Sequence, residues 1–299
     1  MDLELIKKKL LTIHSSGIFA TFDSQQVHTC YNELKQLLIS DDTIPIGELY
    51  NLFELHVYLS LITGHDVEAK SYIDRIVDQF GSDNSERINL LKAIYFEAIG
   101  SKKEAAGILS GKSSELNLTR RLATLSRSAK ENTDYIKNLV LYLDLQPSDL
   151  IAWAELSGQY ESIGHYDKAI FCLKEVLIQE PFDFHTFYKV GLLNYYLFIQ
   201  KYELVKSDNT LKKEKMIELV KILIDARNNY LRTIEICKDH PQSWLGIYIL
   251  CNLKFIGKLK HSSSVIDDFI KSIEKLKHLS EIKVRELTDI IIDDIKISV

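Results

Sequence analysis

The chain has 299 residues, 46% of them hydrophobic, with only 12 glycines and 4 prolines. Strand-rich folds need turn residues at short, regular intervals, so this composition excludes a β-sandwich or barrel and favours long helices, which need few breakers. A formal charge of −5 with 26% charged residues excludes nucleic acid as the main partner, because neutralising phosphates takes a net basic face.

The opening segment, MDLELIKKKLLTIH, alternates charged and apolar residues and lacks the unbroken apolar stretch of a secretory leader. Leu3, Ile6, Leu10 and Ile13 form one helical stripe, with Lys7, Lys8 and Lys9 on its solvated side. Asp23-Ser24 is a good N-cap for a second helix, striped by Val27, Tyr31, Leu34 and Leu38. The segment SDDTIP then breaks the chain, and Pro45 suits the first turn of the next helix.

From there the sequence repeats itself. Gly64 precedes Ala69, Gly100 precedes Ala105 and Gly164 precedes Ala169, each pair five residues apart and each between two apolar helix-like stretches. A glycine can end a helix in the left-handed conformation without steric cost. The alanine then lets a returning helix pack closely. The pattern predicts a helical hairpin written three times.

The sharpest copy spans residues 150–183, where Trp153, Leu156, Tyr160, Gly164, Ala169, Leu173 and Pro181 match the tetratricopeptide repeat of roughly 34 residues. Trp153 and Tyr160 share the face on which the second helix returns, and Pro181 stops that helix. Pro147 closes a preceding, degenerate hairpin over about 118–146. Phe187, Val190 and Gly191 begin the next copy, and an insertion rich in Lys and Glu is expected near 200–215. Ala226 and Tyr230 resume the pattern. Trp244 follows Ala226 at the spacing that separates Phe187 from Ala169, which marks a further leading helix from Pro241 to about Leu253. Val284, Leu287, Ile291 and Ile295 stripe a final helix. The expected fold is all-α, a right-handed tetratricopeptide superhelix (an α-solenoid). Repeats occupy 46–255, with helical caps over 1–45 and 256–299.

No catalytic or cofactor signature accompanies the repeats. The four cysteines stand far apart without a CxxC pair, which suits a reducing compartment. Cys172 and Cys251 sit on apolar faces as small buried hydrophobes. There is no HExxH, no phosphate-cradling glycine loop and no GxSxG elbow. The pairs Asp41-Asp42, Asp267-Asp268 and Asp293-Asp294 are sequence neighbours, which do not face each other on a helix. No metal, cofactor or small-molecule substrate is expected. The longest uncharged stretch, about Pro241 to Leu253, is shorter than the roughly 20 residues of a bilayer span.

In the tetratricopeptide family, fixed positions of each leading helix line a shared groove. Here the resemblance places Tyr58, Leu61 and Ile62 there from the first repeat. The repeat from 184 gives Tyr188, Leu192, Tyr195 and Tyr196, with His185, and that from 241 gives Leu245, Ile249 and Leu253, with Gln242 and Asn252. Such a groove is apolar for a solvated surface, which marks a partner site. The alternative, a soluble co-chaperone adaptor, needs a clamp of Lys, Asn and Arg for acidic tails. Ala154, Gly158, Gln242 and Gly246 stand in those places.

The stretches Ile151–Tyr160, Tyr166–Leu177 and Pro181-Phe182, with the core Ala169, Cys172, Leu173 and Val176 beside Trp153, resemble subunit 2 of the endoplasmic-reticulum membrane protein complex. The likeness is strongest over 147–200 and continues over 229–244 and Leu10–His14, in the manner of a short, fungal-like member. Lys238 replaces the expected repeat-ending proline, and the first hairpins lack tryptophan. The resemblance implies a non-catalytic scaffold, peripheral on the cytoplasmic face of the endoplasmic reticulum. It would grip cytosolic segments of membrane-embedded partner subunits and support insertion of tail-anchored and multi-spanning proteins.

Overall fold

A computed structural model describes residues 3–40, 44–81, 85–111, 115–127, 133–207, 213–259 and 264–288. Among them are fourteen α-helices and no strand. The pairs Asp41-Asp42 and Asp293-Asp294, the stripe residues Ile291 and Ile295, and the middle of the expected insertion lie outside the described residues.

The helices fall into two compact units, residues 1–146 and 147–299. The division falls at Pro147, which follows α8 and cannot continue it.

The first unit holds four antiparallel hairpins: α1 (Leu3–Ser16) with α2 (Ser24–Ser40), α3 (Ile46–Ile62) with α4 (Asp66–Phe80), α5 (Glu86–Ala98) with α6 (Lys102–Ser110), and α7 (Leu116–Leu125) with α8 (Thr133–Leu145). Helix α2 opens with a reciprocal cap: Gln26 N–H donates to Asp23 Oδ1 at 2.7 Å and Asp23 N–H to Gln26 Oε1 at 3.2 Å. Ile6, Leu10, Ile13, Val27, Tyr31 and Leu34 are buried in one core with Leu52, Leu55 and Leu59 of α3. The first two helices therefore seal the end of the following hairpin.

The second unit pairs α9 (Leu150–Ser162) with α10 (Tyr166–Gln179), α11 (Phe184–Ser207) with α12 (Lys213–Ile236), and α13 (Pro241–Cys251) with α14 (Ser264–Leu287). Residues 200–207 and 213–215, read from sequence as an insertion, extend α11 and α12 to 24 residues each. The cause is a continued apolar stripe: Phe198, Tyr202 and Val205 are all buried, and Lys201 Nζ reaches Glu218 Oε1 at 2.5 Å.

Three hairpin turns are alike in atomic detail. Gly64, Gly100 and Gly164 have φ of +79°, +84° and +77°. The next residue's N–H closes back on the helix, His65 to Ser60 O at 2.8 Å, Ser101 to Phe96 O at 2.8 Å and His165 to Tyr160 O at 2.9 Å. Ala69, Ala105 and Ala169 then bond to those same three residues' carbonyls and are fully buried. Trp153 Nε1–H donates to Pro147 O at 2.8 Å, and Trp244 Nε1–H to Lys238 O at 2.8 Å. Each indole ties its helix to the carbonyl six residues back, so a lysine serves where the repeat pattern has proline.

Candidate partner-binding site

In the first unit the leading helices α3, α5 and α7 line a common face. A concavity of about 410 Å³ opens there between Phe19, Tyr58, Leu61, Ile62, Ile94 and Arg121. Tyr58, Leu61 and Ile62 are the groove positions the tetratricopeptide register indicated. Phe19, Ile94 and Arg121 were not indicated. Ile94 could have been found by counting: Tyr58, Leu61 and Ile62 lie six, three and two residues before Gly64, and Ile94, Glu97 and Ala98 lie the same distances before Gly100. Phe19 arrives from the turn after α1 and stacks on Tyr58 at 5.2 Å between ring centres.

Charged groups link the leading helices, one pair at this hollow and another at a separate concavity lined by Asn51, Glu54 and Arg87. Arg121 Nη2 of α7 donates to Glu97 Oε2 of α5 at 2.5 Å. Arg87 of α5 donates through Nε to Glu54 Oε2 of α3 at 2.5 Å and through Nη2 to Asn51 Oδ1 at 2.9 Å. Glu54 is 8% exposed and also receives Tyr58 Oη–H at 3.1 Å and faces His14 Nε2 at 3.5 Å. Burial works to raise the Glu54 pKa, but the bonds from His14 and Arg87 outweigh it and hold the carboxyl below its ordinary value. Burial first, then the Glu54 charge, pushes the Tyr58 phenol up, so it remains a donor. Ile62, 54% exposed, is the open apolar edge of the concavity.

In the second unit the indicated positions are largely built into the chain's own packing. Tyr188 is half-buried, 5.1 Å from the His240 ring and 6.0 Å from Tyr230. Tyr195 is half-buried against the main core, and burial raises the phenol pKa of both tyrosines. Tyr196 is 37% exposed and lies 5.7 Å from Tyr166. Leu192, Leu245 and Ile249 are half-buried, Leu245 beside Trp244 and Val284. Leu253 is 3% exposed, inside the core with Phe198 and Phe255, and has no surface to offer. Of the repeat-defining residues, Ala169, Gly191 and Ala226 are buried, Trp153 packs edge-on against Phe171 at 6.1 Å, and Pro181 is exposed beyond the end of α10.

Burial raises the pKa of the Cys172 and Cys251 thiols to about 11, which leaves them protonated and inert. Among the described residues no group of three or more His, Cys, Asp or Glu side chains could hold a metal ion, and no helix is long and apolar enough to cross a membrane. What the first unit presents is an apolar hollow with a charged pair, Arg121 and Glu97, in its lining.

No protein-family model matches the chain. Among curated proteins, it is 26% identical over 292 residues to ER membrane protein complex subunit 2 of Saccharomyces cerevisiae, covering 93% of each chain. It is 29% identical over 208 residues to TPR repeat protein oca3 of Schizosaccharomyces pombe, covering 68% of this chain and 67% of that protein. Among solved structures, the C-terminal part of a TPR repeat-containing protein from Cytophaga hutchinsonii aligns over 91% of this chain and 98% of its own at 11% identity and a TM-score of 0.49. Along nearly its whole length, then, this chain is similar to ER membrane protein complex subunit 2.

Proposed function

We propose that this chain is a non-catalytic subunit of an endoplasmic-reticulum membrane protein complex, held at the cytoplasmic face by its partners rather than by a span of its own. The observation that carries this is similarity to the yeast subunit over 93% of both chains. The hollow at Phe19, Tyr58, Leu61, Ile62 and Ile94 supports it, because it offers unfilled apolar surface to a cytosolic segment of a membrane-embedded subunit. In this role the chain supports insertion of tail-anchored and multi-spanning proteins by organising the subunits that perform it. The test is affinity isolation of the full chain in mild detergent. Integral membrane partners are expected; recovery of soluble proteins alone would overturn the assignment.

A further inference from the structure

Between α12 and α14 lies a cation with no counter-charge among the described residues. Arg227, on α12, is half-buried. Its Nη1 donates to Ser272 Oγ of α14, and its Nε and Nη2 donate to Asn228 Oδ1 at 3.2 and 2.9 Å. The guanidinium carbon lies 5.9 Å from the centre of the Phe269 ring. All of these partners are neutral. Arg87, Arg121, Arg232 and Arg285 each pair with a glutamate, whereas Arg227 meets no carboxylate among the described residues. Its pKa is lowered by burial.

Half-buried apolar side chains, packed on the core, stand one turn away along the same helices. Ile224 and Leu231 lie one turn either side of Arg227 on α12, and Leu276 lies one turn beyond Ser272 on α14. Withdrawing a charge from water is costly unless it is paired. The planar guanidinium fork matches a carboxylate with two parallel bonds. Asn228 Oδ1 now takes both of those bonds from an exposed side chain that can turn away.

We propose that Arg227 and Ser272 anchor an aspartate or glutamate side chain of a protein partner, whose apolar neighbours rest on Ile224, Leu231 and Leu276. The site lies on returning helices, not on the leading helices that line the hollow. It requires that the chain works in an assembly, but not that the assembly is the one proposed above.

The test uses Arg227→Lys in the full chain, purified with its native partners in mild detergent and treated with a carbodiimide, which joins an amine to a carboxylate without a spacer. An amide cross-link from position 227 to an Asp or Glu of another chain is expected. A cross-link confined to this chain's own carboxylates, or none, overturns the proposal. On the purified chain, Arg227→Met is expected to keep or raise the thermal midpoint, since a costly charge is removed, while retention of the cross-linked partner falls roughly tenfold or more. Lower stability with unchanged retention would make Arg227 a structural residue only and overturn the proposal. Recovery of soluble partners alone would defeat the membrane-complex assignment, yet the cross-link would still decide this one.

Discussion

The ring of Tyr230 occupies the place where a side chain at Gly191 would be: a Cβ there would lie 2.8 Å from the ring's Cδ1 and Cε1. Gly246 meets the same ring from α13, where a Cβ would lie 2.6 Å from Cζ. Three helices close on one tyrosine because two of them are bare at that level. Gly191→Ala and Gly246→Ala should each destabilise by about 1–3 kcal/mol, the usual cost of overpacking a filled core. Denaturant unfolding of the purified variants measures this, and a second change, Tyr230→Leu, should recover part of the loss.

Gly164 and Gly158 should respond oppositely to the same substitution. Gly164 ends α9 with φ at +77°, so Gly164→Ala should lose about 1–2 kcal/mol. Gly158 lies inside α9 with nothing within 4 Å of a built Cβ, and Gly158→Ala should gain about 0.5–1 kcal/mol. Thermal unfolding of both variants, side by side, checks the pair; equal shifts would refute the turn's role.

His56 should make the first unit acid-sensitive. It is fully buried, stacked on Tyr72 at 4.1 Å with Nδ1 2.9 Å from Ser60 Oγ, and its Nε2 has no partner among the described residues. Burial, aided by Lys35 and opposed by Glu68, lowers its pKa to about 4. The unfolded chain takes up a proton near its ordinary value of about 6.5. Stability is therefore fully present above that value and falls as pH drops towards 4, by about 3 kcal/mol on this group alone. Midpoints measured from about pH 7 to about pH 5 should decline, and His56→Leu should flatten the decline.

Ile62 should matter to partners and not to folding. It is 54% exposed at the edge of the hollow. Ile62→Asp should leave stability within about 0.5 kcal/mol and reduce recovery of integral membrane partners roughly tenfold. Quantitative mass spectrometry of detergent-isolated assemblies decides it.

The hairpins were legible because their punctuation is local. A glycine, a helix cap and a buried alanine lie within a few residues of one another, and Gly64, Gly100 and Gly164 repeat that grammar. The ends of α11 and α12 were obscured because Lys and Glu on the solvent side hid Phe198, Tyr202 and Val205, whose spacing still carried the helix. The hollow was half legible. Tyr58, Leu61 and Ile62 follow from the register, but Phe19 reaches them from another helix pair, and no local pattern announces such a contact. In the second unit the same register led to Leu253, which the longer α11 and the turn at Phe255 bury.

Both indoles that fasten helix ends, at Trp153 and Trp244, lie beyond residue 147, and the chain has no other tryptophan. Their emission is thus a native optical tag for one unit alone, while circular dichroism sums over every helix. Divergence of the two signals during denaturation would resolve the melting of each half without any added dye.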